Sequence, residues 1–235
     1  MTIWLWALHT GRVVVDALHR AGVRTVAHVR PDSPSLSQWR EKWEAEGIEV
    51  DDTPWQASAM TSRLKDLAPT LVFALLGTTR KRAGREGLAA TEAYERIDYG
   101  LTAPLLAAAT TSGNAPLFVY LSAAGLSPKT RNPYARARVR IEAELAAGPL
   151  PYLVARPSFI IGERDEPRAG ERWAARIADG ALSVVGALGA KRAAARYAST
   201  TNEILGEAVV RLALDPATPK RHIAESEALR APTSR

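Results

Sequence analysis

A doubly wound parallel α/β sheet is the fold this sequence predicts, and three observations predict it. Short apolar runs alternate with longer amphipathic segments, one strand–helix unit for every roughly 20 to 45 residues, the pattern of parallel strands joined by helical crossovers. Gly11, Arg30, Gly77, Ser122 and Pro157 stand where the strands run out, on the rim where such sheets take ligands. The chain's 235 residues, 46% of them hydrophobic, suffice for one α/β domain with a full core.

The elements follow in order. A first strand is expected over Ile3–Ala7 and a helix over Gly11–Ala21, which Gly22 stops. VRTVAHV makes a second strand at Val23–Val29. SLSQWREKWEAEG is a helix over 35–47, and IEV is a third strand over 48–50. Gln56–Leu67 is helical, and LVFALL, Leu71–Leu76, is a fourth strand ending at Gly77-Thr78-Thr79. An alanine-rich helical stretch over about 85–112 precedes a fifth strand at Leu117–Leu121. A helix over about 133–147 leads to a sixth strand, YLVAR, at 152–156. Beyond Pro157 the alternation weakens, so 158–200 reads as a small substrate-side lobe. TTNEILGEAVVRLALD, 200–215, is an amphipathic helix, and 225–235 is a polar, loosely held tail.

Composition narrows the partners. There is no cysteine, and His9, His19, His28 and His222 form no ligand spacing, so neither disulfides nor a metal site is expected. The net charge of +6 suits anionic partners, with arginines concentrated in RKRAGR and KTRNPYARARVR. No helix-turn-helix, zinc or stacking-aromatic motif accompanies that charge, so a small anionic molecule is expected rather than nucleic acid. No apolar run approaches the roughly 18 residues of a membrane span, and MTIWLWAL is short for a signal peptide and lacks a basic leader. The expected location is cytoplasmic. The helices at 85–112 and 133–147 offer a surface for pairing two copies.

The chemistry concentrates in residues 116–142. Ser122 ends the fifth strand, and Tyr134 and Arg138 are four apart, so they share a helix face. A hydroxyl, a phenol and a cation so placed can move a proton beside a bound cofactor. Three blocks carry a resemblance: LLGTTRKRAGREG, YLSAAG with NPYARAR, and ARPSFIIGERDEPRAGER. They resemble the atypical short-chain dehydrogenase/reductases, in the Tat-interacting-protein-like branch grouped with NAD(P)-binding, epimerase-like proteins.

The resemblance implies that 1–224 is a single NAD(P)-binding Rossmann-like domain with a Ser/Tyr/Lys trio. It makes Tyr134 the general acid/base, Ser122 the hydroxyl that holds the substrate oxygen, and Arg138 the stand-in for the family's lysine. Arg138 keeps the charge but not the geometry of a lysine. Gly11, Gly77 and Thr78 would line the cofactor, and Pro157 and Ser158 would meet the nicotinamide carboxamide, with Phe159 beside the ring. Arg30, a cation where NAD-preferring folds carry an acid, favours NADP(H) over NAD(H). Arg164, Arg168 and Arg172 would meet an anionic substrate or pair with neighbouring acids.

Two departures bear on function. Ala123 stands where the family often has a second serine. Counting back from Gly11, Leu5 and Leu8 hold positions that are glycine in the family's GxxGxxG turn, and both side chains are expected to fill pyrophosphate space. Either the start of the coding frame is altered or cofactor binding is lost. The reading is a NADP(H)-dependent oxidoreductase acting on an unassigned carbonyl or alcohol. Its alternative is a catalytically impaired regulatory protein on the same fold.

Overall fold

Strands whose side chains are buried on both faces form the centre of the molecule. A computed structural model describes residues 1–6, 9–76, 89–158, 160–161 and 200–230. The strands are β1 (Thr2–Trp6), β2 (Arg24–His28), β3 (Glu49–Asp51), β4 (Leu71–Ala74), β5 (Leu117–Leu121), β6 (Tyr152–Arg156) and β9 (Arg221–Glu225). They form one sheet in the order β3-β2-β1-β4-β5-β6-β9, and every pairing is parallel. The two-residue strands β7 (Ile160–Ile161) and β8 (Thr200–Thr201) pair separately.

Period-two alternation sorts the strand residues between two cores. Leu5, Ala27, Phe73, Val119, Leu121 and Leu153 face one layer, with Val14, Leu18, Leu205 and Val209 of helices α1 (His9–Arg20) and α7 (Asn202–Leu214). Trp4, Val26, Val72, Phe118, Tyr120 and Val154 face the other. That side is covered by α3 (Ala57–Leu67), α5 (Thr102–Thr111) and α6 (Pro133–Ala147). The helix α2 (Leu36–Ala45) adds Trp43 to the first core. α1 and α7 approach closely because position 206 is glycine: a Cβ there would lie 2.7 Å from Cγ1 of Val13.

The expected strands and most helices are present, and two regions differ. The stretch expected as one helix over 85–112 is broken. The short helix α4 (Ala90–Ala93) runs into a π-helical turn, Tyr94–Tyr99, before α5 begins. Gly100 closes that turn: its N–H donates to Glu95 O at 2.9 Å, and a Cβ there would meet the Arg96 carbonyl oxygen at 2.5 Å. The second difference is β9, a seventh strand at the edge of the sheet. Only Ala224 of β9 is fully buried, so the segment lacks the apolar run that marks the inner strands. The chain after it is anchored rather than loose through residue 230. Leu229 is buried, the Ser226 hydroxyl donates to Arg156 O at 3.1 Å, and Arg211 donates to Ala228 O at 3.1 Å.

Candidate functional site

Because all seven strands are parallel, their carboxyl ends lie on one rim, and two clusters of polar residues gather there. The first is built by α6. Its sequence starts a helix cleanly: Pro133 occupies the first turn, where a missing N–H costs nothing, and the Asn132 side chain accepts from Tyr134 N at 3.0 Å. A four-residue repeat then places Tyr134, Arg138 and Glu142 in one stripe.

Each member of that stripe has a defined partner. Arg138 is buried. One Nη donates to Leu121 O at 2.5 Å, and the other donates to Asp98 Oδ1 at 3.0 Å. Both side chains of this ion pair are sealed from water, at 6% and 1% exposure. Arg138 Nε is buried without a hydrogen-bond partner, and the guanidinium carbon lies 4.5 Å from the centroid of the Tyr134 ring. Tyr94, in the π-helical turn, packs edge-to-face with the same ring at 5.3 Å between centroids. Burial opposes the charge on Arg138, but Tyr134, Tyr120 and Asp98 around it hold its pKa above the ordinary value. Burial also pushes the neighbouring Tyr120 phenol above its usual range.

Ser122 is held one turn further along the stripe. Its hydroxyl donates to Glu142 Oε1 at 2.5 Å. Arg156 donates from Nε to the same oxygen at 3.0 Å and from Nη2 to Oε2 at 2.5 Å, and its Nη1 reaches Glu225 at 3.1 Å. The Glu142 and Glu225 carboxylates raise the Arg156 pKa against the cost of its burial. Ser122 N donates to Ala155 O, and Ala124 N donates to Pro157 O, both at 2.8 Å, so β5 and β6 stay zipped past their formal ends. The Pro157 carbonyl therefore has an intramolecular partner, and Ser158 follows it half-buried on the rim.

The second cluster lies at the ends of β1, β2 and β3. Asp51 is its hub: Oδ2 accepts from Trp4 Nε1 at 2.7 Å, and Oδ1 accepts from the Thr53 hydroxyl at 2.7 Å and from Arg63 Nε at 3.1 Å. Burial would raise the Asp51 pKa, but the hydrogen bonds from Trp4 and Thr53 bring it below the ordinary carboxylate value. His28 is fully buried, with Nε2 2.9 Å from Thr53 O, so Nε2 carries the proton in this contact. Burial lowers its pKa, which keeps the ring neutral. The rings of Trp4 and Trp55 flank it, each with a centroid 5.0 Å away.

Around this corner stand the residues expected to meet the nucleotide. Gly11 lies within the first turn of α1, whose N-terminus points to the rim. Arg30 follows β2, and its Nε is 3.2 Å from Asp32 Oδ1. Arg12 lies over the Trp39 ring, 4.1 Å from its centroid. The expected obstruction by Leu5 is not found. Leu5 lies inside β1, pairs with Ala27 and Phe73, and is fully buried in the core, so it takes no space at the rim. Its neighbour Trp4 is also a core residue, fully buried. Leu8, Gly77, Thr78, Thr79, Phe159, Arg164, Arg168 and Arg172, with most of the lobe expected over 158–200, lie outside the described residues.

Sequence reasoning missed Asp98, Glu142, Arg156 and Asp51. Glu142 was the most accessible of them, since it continues the spacing of Tyr134 and Arg138. Among the described residues no cluster of acids and histidines could hold a metal ion, and no helix is long and apolar enough to cross a membrane.

This architecture defines a doubly wound, Rossmann-like α/β protein, and comparison with known proteins agrees. No protein-family model matches the chain. It superposes on the UDP-glucose 4-epimerase of Stenotrophomonas maltophila, solved with bound NAD, with a TM-score of 0.65 at 15% identity over 95% of this chain and 76% of that one. Against the UDP-glucose 4-epimerase of Thermus thermophilus, solved as a complex with NAD, the TM-score is 0.60 at 15% identity, covering 98% and 81%. In sequence the chain is similar to "Protein fmp52-1, mitochondrial" of Aspergillus terreus, 30% identical over 161 residues, 67% of this chain and 63% of that protein. It is also 33% identical to "Protein FMP52, mitochondrial" of Chaetomium globosum over 128 residues, 52% and 50% of the two chains. The match thus spans less than two thirds of the length of these relatives. Their names overturn the cytoplasmic expectation: the curated relatives are called mitochondrial.

Proposed function

We propose that the chain is a NADP(H)-dependent oxidoreductase of the atypical short-chain dehydrogenase/reductase type, in the Tat-interacting-protein-like branch, acting on a carbonyl or alcohol. The observation that carries this reading is the α6 stripe, which sets a phenol over a cation at the carboxyl rim of a parallel sheet. The cofactor supplies or accepts a hydride. Tyr134 gives or takes the proton on the substrate oxygen, and Arg138 supplies the positive charge beneath its ring. Ser122 orients that oxygen after its hydroxyl turns from Glu142, whose carboxylate holds it otherwise. Gly11 would allow the nucleotide a close approach to the α1 N-terminus, and Arg30 would meet the 2′-phosphate. The resemblance assigns Gly77 and Thr78 to the adenosine side, and Pro157 and Ser158 would serve the nicotinamide side.

Titration with NADPH and with NADH, followed by tryptophan fluorescence, tests the cofactor. The half-buried Trp55 and the Trp39–Arg12 pair are the reporters, because Trp4 is sealed in the core. Tighter binding of NADPH, and turnover across a carbonyl panel that Tyr134→Phe abolishes, are expected. No binding of either nucleotide would sink the reading.

A second reading has its own observation. The Ser122 hydroxyl and the Arg138 guanidinium are both committed to internal carboxylates, as in a protein that keeps the fold and binds without turning over. NADPH binding without turnover on the panel favours it.

A further inference from the structure

We propose that Asp98 and Arg138 form one internal ion pair whose role is to position Tyr134, and that Arg138 makes no contact with a bound nucleotide. The clause about the nucleotide rests on the cofactor reading above; the rest stands on geometry alone. Asp98 is a carboxylate at 1% exposure, and a charge that deep needs a counter-ion. Arg138 supplies it at 3.0 Å and spends its other Nη on the Leu121 carbonyl at the end of β5. Both ends of the guanidinium fork are therefore used on the protein.

What remains is the buried Nε and the guanidinium face, and that face carries the Tyr134 ring at 4.5 Å. The π-helical turn supplies both Asp98, which fixes the cation, and Tyr94, which packs edge-to-face with the Tyr134 ring. Tyr134 is thus gripped by two groups that one backbone irregularity sets in place. A cation that left this arrangement to reach a ribose would break the buried pair with Asp98, and breaking a buried pair costs about a hundredfold or more in the unfolding equilibrium. Arg138 is a positioning residue, and Asp98 is the residue that makes it one.

The test compares Asp98→Asn, Arg138→Met and the double variant with the unaltered chain. Three measurements are made: urea unfolding, NADPH titration, and the tyrosine band of near-ultraviolet circular dichroism. Each single variant should raise the unfolding equilibrium constant about a hundredfold or more, and the double variant should recover at least about tenfold of that loss. The double variant should bind NADPH within about threefold of the unaltered chain. It should also change the tyrosine band, and that change should vanish in a Tyr134→Phe background, which loss of stability alone would not produce. Purely additive destabilisation overturns the pairing. A folded double variant that binds NADPH more than about tenfold weaker overturns the claim that Arg138 avoids the nucleotide. A tyrosine band that does not move, or moves equally without Tyr134, overturns the positioning role. If the unaltered chain itself does not bind NADPH, the cofactor reading fails separately, and unfolding and dichroism still decide the inference.

Discussion

The two ends of the rim solve the same problem with different materials. At the β5–β6 end, buried charge is neutralised by pairs drawn from distant elements: Asp98 with Arg138, and Glu142 with Arg156. At the β1–β3 end a single carboxylate, Asp51, is satisfied mainly by neutral donors and by one half-buried arginine, under a lid of aromatic rings. The first arrangement fixes the directions of a phenol and a hydroxyl. The second fixes the ends of three strands and leaves arginines at the surface. The rim thus has a proposed reaction side held by internal ion pairs and a proposed nucleotide side where Arg30 pairs with an exposed acid.

The largest effect outside the Asp98–Arg138 pair is expected at Asp51. Asp51→Leu leaves the Trp4 indole N–H buried without an acceptor and removes the buried partner of Arg63, and it should cost about 3 kcal/mol in urea unfolding. If the loss is under about 1 kcal/mol, the hub is less important than its contacts imply. On the other side, Glu142→Gln should cost about 1–3 kcal/mol, because it removes the charge between Ser122 and Arg156 while keeping the shape. Ser122→Ala in the Glu142→Gln background should then cost less than it does alone, since the two groups are in contact. Additive losses would mean that Glu142 serves Arg156 and not Ser122.

Acid should separate the two corners further. The folded pKa of His28 is lowered by burial, so the unfolded chain takes up a proton first as pH falls below about 6.5. Stability is therefore full above that pH and declines on acidification. The depressed Asp51 pKa adds a loss at lower pH, below the ordinary carboxylate value of about 4. His28→Gln, whose amide can still donate to Thr53 O, should flatten the dependence between about pH 5 and 7 and leave the lower limb in place. An unchanged slope in that window would assign it to another group.

The architecture was legible because parallel strands buried on both faces spell themselves as apolar runs, as LVFALL and LFVYL do. β9 was not, because an edge strand with one buried residue looks like loop. The π-helical turn was hidden inside an alanine-rich stretch, although Gly100 marked its end. Tyr134 and Arg138 were visible through their spacing, but no sequence pattern announces that a cation will turn inward toward an acid forty residues earlier. Leu5 misled in the opposite way: counted against a glycine motif it looked like an obstruction, whereas β1 extends through it and buries it in the core.

The smallest effect expected belongs to the proposed nucleotide side, and it sharpens the contrast most directly. Arg30 is bridged to Asp32, whose side chain is 72% exposed, and a surface pair of this kind contributes little to stability. Asp32→Asn should therefore leave the unfolding midpoint where it is. It also removes a negative charge from the neighbourhood of the proposed 2′-phosphate, and freeing Arg30 should tighten NADPH binding about two- to fivefold while leaving NADH unchanged. The gain should shrink as salt is raised, since both groups are in reach of solvent. An equal gain for both nucleotides would move Arg30 away from the 2′-phosphate and toward the pyrophosphate, which the two cofactors share.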